Sequence, residues 1–260
     1  MRSILIFLIS LFSVQIVWAQ YYGAIKADQP GLSNNYRTVR KFRLQIESEM
    51  SYRQDTKFPD SPNLERKRFQ LAHTLIRFGL SKSLELRLQS GFLYQRDKIL
   101  SAKSSVTSVQ GISLGGKWHF LEHKHALIPD ASLLLQADLP VGSEQIVSKY
   151  VEPQAVLIAS HPLSDAASLD YNVAVSYRNN DYAEYFYALA LRVEFSPQTS
   201  SFIEFSAKHP KDTDAEMYFD GGLNLLIKRN TIAYIYGGKG LNTQSADWFV
   251  AFGMGIRLPR

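Results

Sequence analysis

Six histidines are the first place to look for chemistry. Three of them, His119, His123 and His125, fall with Glu122 in the stretch HFLEHKH, and imidazole with carboxylate is a usual donor set for zinc. Their spacing is loose and no second cluster matches it, so a charged turn is expected there and no metal site. Hydrolysis needs a nucleophile with a base beside it. The residues two after the histidines are Leu75, Leu121, His125, Leu127, Leu163 and Lys211, so no His-x-Ser pair exists, and no G-x-S-x-G elbow occurs. Glycine pairs at Gly115-Gly116, Gly221-Gly222 and Gly237-Gly238 lie in or beside extended segments, where they permit curvature and close strand approach and do not cradle phosphate. No catalytic residue and no cofactor is expected.

The remaining chemistry is that of charges placed at every second residue. In LELRLQSGFLY (84–94), Leu84, Leu86, Leu88, Phe92 and Tyr94 share one parity, and Glu85, Arg87 and Gln89 share the other. Successive side chains of a strand point to opposite faces, so the segment has one apolar and one charged face. FRLQIESEMSY (42–52) repeats the pattern, as do segments 112–120, 169–177, 185–195, 217–225 and 248–258. Weaker candidates are 69–78, 131–139, 151–160, 202–208 and 231–236. Together they make about twelve strands of about ten residues, the length a tilted strand needs to cross a bilayer.

The charged parity collects Arg43, Glu47, Glu49, Glu85, Arg87, Lys117, Asn172, Arg192, Glu204 and Asp220. A soluble barrel would turn these outward. A twelve-stranded soluble barrel, however, encloses more volume than apolar side chains fill, and small soluble barrels stop near about eight strands. The expected arrangement is therefore lipid outside and a polar lumen inside, with the ten residues facing the lumen and setting its ion selectivity.

The N-terminus agrees with export. Arg2 precedes an apolar run from Ile4 to Phe12, and Val17 and Ala19 stand at minus-three and minus-one positions, which predicts a cleaved signal peptide over 1–19. A segment 20–41 is expected in the periplasm, followed by one barrel domain over 42–260. The chain has no Cys, so an exported domain of this size must be held by hydrogen bonds and packing. No later stretch is apolar for long enough to make a spanning helix. The mild basic balance, 29 Lys plus Arg against 24 Asp plus Glu, concerns solubility and anionic partners and gives no pointer to nucleic acid.

Connections alternate between short turns, such as GLSKS, HPLSDAAS and SPQTS, and longer loops at 53–68, 95–109, 140–149, 178–184, 210–214 and 237–246. In outer-membrane barrels the short side is periplasmic. Tyr52, Tyr94, Trp118, Phe120, Tyr177, Tyr185, Phe195, Tyr236 and Trp248 share parity with the apolar residues near strand ends, which predicts interfacial aromatic girdles. Arg66, Lys67 and Arg68, in a long loop, are expected to meet the phosphates of lipopolysaccharide.

At Asp28-Gln29-Pro30-Gly31, LIRFGLSKSLELR (75–87), GISLGGK (111–117), LPVGS (139–143), SHPLSD (160–165), LDYNVA (169–174), FDGG (219–222) and GKGLNTQSADWF (238–249), the sequence resembles the outer-membrane β-barrel transporter family associated with the meta-pathway of phenol degradation. That family often has Arg between the Asp and Pro of its first motif, where Gln29 stands here. Many outer-membrane barrels end in an aromatic residue, whereas this chain ends Leu258-Pro259-Arg260. The resemblance implies passage of small solutes, aromatic or hydrophobic compounds among them. The expected fold is thus an all-β, closed, antiparallel up-and-down transmembrane barrel in the outer membrane, acting as a passive pore. Its expected partners are outer-membrane lipid and lipopolysaccharide, a small-molecule solute and the barrel assembly machinery. The rivals are a structural or surface-binding barrel with a blocked lumen and, behind it, an outer-membrane hydrolase.

Overall fold

The computed structural model describes residues 23–28, 31–58, 61, 63–123, 128–211 and 214–258. The expected signal peptide, Gln29, Pro30 and His125 lie outside them. Twelve strands follow in chain order: β1 (Leu44–Asp55), β2 (Leu64–Gly79), β3 (Leu84–Ile99), β4 (Ala102–Leu121), β5 (Asp130–Gly142), β6 (Glu152–Ser164), β7 (Ala167–Arg178), β8 (Tyr182–Glu194), β9 (Thr199–His209), β10 (Glu216–Lys228), β11 (Thr231–Gly240) and β12 (Trp248–Leu258). Each pairs antiparallel with its sequence neighbours, and β1 pairs with β12 from Leu44↔Leu258 to Gln54↔Trp248, closing the barrel. Closure leaves no unpaired edge, which a strand structure in lipid requires.

The two parities differ in burial. Leu86, Leu88, Val173, Leu189, Phe252 and Met254 are exposed on the outer surface, while Glu47, Glu85, Lys117, Asn172 and Glu204 are buried within. Trp118, Phe120, Tyr177, Tyr185, Phe195 and Trp248 are exposed as well. Tyr52 is in ring contact with Trp248 at 5.0 Å and with Phe69 at 4.7 Å.

Tyr236 departs from the expected girdle. It is buried inside, where its hydroxyl donates to Glu49 at 2.9 Å. β11 reads TIAYIYGGKG, apolar on both parities, so alternation does not say which face turns inward. The deciding partners are remote: Ile25 and Ala27 pack with Phe202, Ile232, Tyr234, Tyr236 and Ala251 as a small apolar core within the lumen.

One expected long loop is largely strand and another is half strand. β3 and β4 run to Ile99 and from Ala102, leaving a two-residue turn where a loop over 95–109 was expected, and β2 begins at Leu64. Polar residues on both faces mask the strand signal there, because a wall rising beyond the bilayer has no lipid-facing side to keep apolar.

Residues 23–28 and 31–41, part of the segment 20–41 expected ahead of the barrel in the periplasm, run inside the wall. They contact inward side chains of strands around most of the circumference. The chain leaves the lumen at Phe42, in the left-handed region with φ 57°. Lys41 bridges to Gly79, where a Cβ would come within 2.1 Å of the Arg40 carbonyl oxygen, so only glycine admits this crossing.

Candidate functional site

Among the described residues of the internal segment, backbone pairing with the wall is confined to its two ends, at Ile25 with Arg229 and at Lys41 with Gly79, so the buried N–H groups between need other acceptors. The inward carboxylates supply them. Glu47 accepts from the Asp28 amide at 2.7 Å, and Glu85 accepts from that of Val39 at 2.7 Å. Glu204 accepts from Leu32 at 2.7 Å, from Ser33 at 3.3 Å and from the Ser33 hydroxyl. Asn172 accepts from the Asn34 amide at 2.7 Å and donates to the Asn34 carbonyl at 3.2 Å. Cations bind the segment's carbonyls in turn: Arg77 donates to Arg37 at 2.7 Å and Lys117 to Asn35 at 2.7 Å. Gly31, at φ 95°, passes so close to the wall that a Cβ would lie 2.9 Å from the Phe202 ring.

Asp28 is the hub. Its carboxylate meets Arg87 at 2.5 Å, Lys117 at 2.7 Å and Arg77 at 3.7 Å. Arg77 also reaches Glu85 at 3.0 Å and Glu47 at 3.1 Å, and Arg87 and Lys117 reach Glu85 at 3.3 and 3.6 Å. Three acids thus face three bases, all buried. Burial alone would raise the Asp28 carboxyl, but the neighbouring Arg77, Arg87 and Lys117 outweigh it and hold that group well below the usual carboxylate range.

Of the ten residues expected to line the lumen, Glu47, Glu85, Arg87, Lys117, Asn172 and Glu204 therefore gather on the internal segment. Arg192 joins them through Asp170 at 2.6 Å and the Ser33 hydroxyl at 3.4 Å. Glu49 and Asp220 face inward beyond this network, where Glu49 Oε2 and both Asp220 carboxylate oxygens are buried without a hydrogen-bond partner. Arg43 lies at the foot of the wall, just before β1, half-buried. Arg77, the base that joins Glu47 to Glu85, was missed: LIRFG alternates weakly, and the ion pairs that identify it lie across strands.

Arg66, Lys67 and Arg68 do not form one outward cluster. Arg66 and Arg68 share the inward parity and pair with Asp97 at 2.8 Å and Asp55 at 3.2 Å. Lys67 alone turns outward, paired with Glu65 at 2.7 Å.

The segment divides the internal space. On the short-turn side a cavity of about 170 Å³ is lined by Lys26, Asn35, Tyr36, Asp170 and Arg192, among others. On the long-loop side a cavity of about 350 Å³ reaches Asp28, Leu32, Gln70, Gln136, Gln154, Phe186 and Tyr236. It continues into one of about 230 Å³ against Tyr218 and Phe249. Gln70 donates to Gln110 at 2.6 Å and Gln136 to Gln154 at 2.8 Å, so one wall of this vestibule is carboxamide while the wall of β8 and β10–β12 is aromatic.

No group of three or more His, Cys, Asp or Glu among the described residues is placed to hold a metal ion. His119 does meet Ser132 at 3.1 Å and Asp130 at 3.6 Å, across β4 and β5. Ser132 is fully buried and donates to the Tyr36 carbonyl at 2.5 Å, so its hydroxyl presents no nucleophile to a cavity.

The fold recurs in solved structures. An outer-membrane channel of Pseudomonas putida F1 is 11% identical, with a TM-score of 0.67 over 90% of this chain and all of that one. The KdgM porin is 13% identical, with a TM-score of 0.50 over 82% of this chain and 98% of its own. The translocator domain of the autotransporter NalP from Neisseria meningitidis is 10% identical, with a TM-score of 0.51 over 84% and 89%. At such identities the likeness is one of fold, that of an outer-membrane barrel. No curated protein matches the chain. Residues 27–258, most of the internal segment and the whole wall, match the model of one family, and the chain belongs to it: the family described as "Putative MetA-pathway of phenol degradation".

Proposed function

We propose that the protein is an outer-membrane pore for passive passage of small solutes, narrowed at its waist by residues 23–28 and 31–41. One observation carries this reading: polar cavities stand on both sides of the internal segment within a single closed wall. Solute passage requires that segment to shift, and its polar attachments, made mainly to inward side chains and not to the strand ladder, allow it to leave without opening the wall. The family description and the aromatic wall of Phe186, Tyr218, Tyr236 and Phe249 support small solutes with an apolar face. The short turns and both ends of the barrel lie on one side, which supports a periplasmic assignment for that side.

A second reading, a structural barrel that never conducts, is favoured by the density of bonds on the segment. Planar-bilayer recording separates the two. The pore reading expects small openings from the parent protein and larger ones from Asp28→Asn. Silence from both, in protein shown to be folded, would leave the structural barrel.

A further inference from the structure

The strand ends of β2, β3 and β4 continue past the aromatic girdle, and their outward face carries Lys67, Arg96, Lys98 and Lys103. The register stacks like charges: Lys67 lies opposite Arg96, and Lys98 opposite Lys103. Like charges directly across strands repel, so this arrangement calls for an anion from outside. Among the described outward residues of these strand ends, Glu65 is the only acid, and it already pairs with Lys67 and stands opposite Lys98.

Height identifies the anion. Phe69 and Tyr94, in ring contact at 6.1 Å, belong to the girdle. Arg96 and Lys98 come two and four residues beyond Tyr94, about 7 and 14 Å along a strand, or about 5 and 10 Å along the membrane normal at a tilt near 45°. That is the headgroup layer. Two rows of cations at two heights fit a headgroup carrying two phosphates, and a phosphorylated glycolipid carries both on one molecule.

We infer that Lys67, Arg96, Lys98 and Lys103 form a docking surface for the bisphosphorylated glycolipid of the outer leaflet. The inference rests on the outer-membrane reading with the long-loop side outward, and not on conduction. Its cations are distinct from Arg66 and Arg68, which are engaged in the mouth of the lumen.

The test uses the full-length protein, purified and delipidated in neutral detergent, with diphosphorylated lipid A as the probe. Each sample is first shown to be folded by its heat-dependent gel mobility. The joint variant Lys67→Gln, Arg96→Gln, Lys98→Gln, Lys103→Gln should bind the probe at least about tenfold more weakly. The parent should lose as much toward dephosphorylated lipid A, a comparison that needs no variant to fold. The Arg66→Gln, Arg68→Gln control should bind like the parent. Equal binding by the quadruple variant, or equal parental affinity for phosphatidylglycerol, would overturn the inference. Orientation is read separately with Ser101→Cys in intact cells: labelling by a membrane-impermeant thiol reagent supports the outward side, and failure to label would remove the orientation and the docking surface together. Neither outcome bears on whether the pore conducts.

Discussion

Asp28 is one residue on which the whole waist depends. It joins three bases, and removing its charge would leave Arg77, Arg87 and Lys117 facing only Glu47 and Glu85. Breaking a buried ion network by deleting one partner costs about 3–5 kcal/mol. Asp28→Asn should therefore release the internal segment while the wall, held by its own ladder, stays folded, and bilayer conductance should rise. The same residue sets the pH response. Its folded pKa is held below the ordinary value of about 3.9, so its contribution is complete above that value and is lost only as pH falls through the lower one. Asp28 should thus not open the waist between about pH 8 and about pH 5; a change in conductance across that range would be assigned to another group. Asp28 was legible in the sequence as part of the Asp-Gln-Pro-Gly resemblance, but its role was not. A lone acid before the first strand has no periodicity, and its partners lie 49 to 89 positions away.

At the scale of elements, the side-chain period of two was enough to place the strands, and β12 occupies the expected span Trp248–Leu258. Boundaries failed where lipid stops enforcing the alternation, as in the upper parts of β2, β3 and β4. The inward face failed where both parities are apolar, as in β11. On β8 the alternation is strict, and Leu189 is exposed between Tyr171 of β7 and Phe205 of β9. Leu189→Arg should destabilise the barrel in lipid vesicles by about 2–4 kcal/mol, since a cation near the midplane meets hydrocarbon. Urea titration of vesicle-embedded protein measures it, and a change of under about 1 kcal/mol would place Leu189 at an interface. Gly79→Val should block the crossing that seats the internal segment in the lumen, because its side chain would enter the space of the Arg40 carbonyl. The expected outcome is a folded barrel that conducts like Asp28→Asn.

For the whole molecule, ion selectivity is expected from the inward charges, Glu47, Glu49 and Glu85 among them, and we propose that the mouth contributes most of it. Glu47 and Glu85 are spent on Arg77 and on the internal segment. Above them, Arg53, Arg66, Arg68, Arg178 and Lys208 are interleaved with Asp55, Asp97, Asp138, Glu152, Glu184 and Glu216. A mouth so nearly balanced focuses little field, and the open pore should discriminate weakly between small cations and anions. Arg178 makes the balance testable, since Asp138, Glu152 and Glu184 lie 3.2, 2.9 and 3.1 Å from it. In the Asp28→Asn background, Glu152→Gln with Glu184→Gln should leave Arg178 and Lys208 in excess and move the reversal potential in a salt gradient toward anion preference. Arg178→Gln should move it the other way. A conducting pore whose reversal potential ignores both changes would show that ions are sorted lower down, between the vestibule and the internal segment.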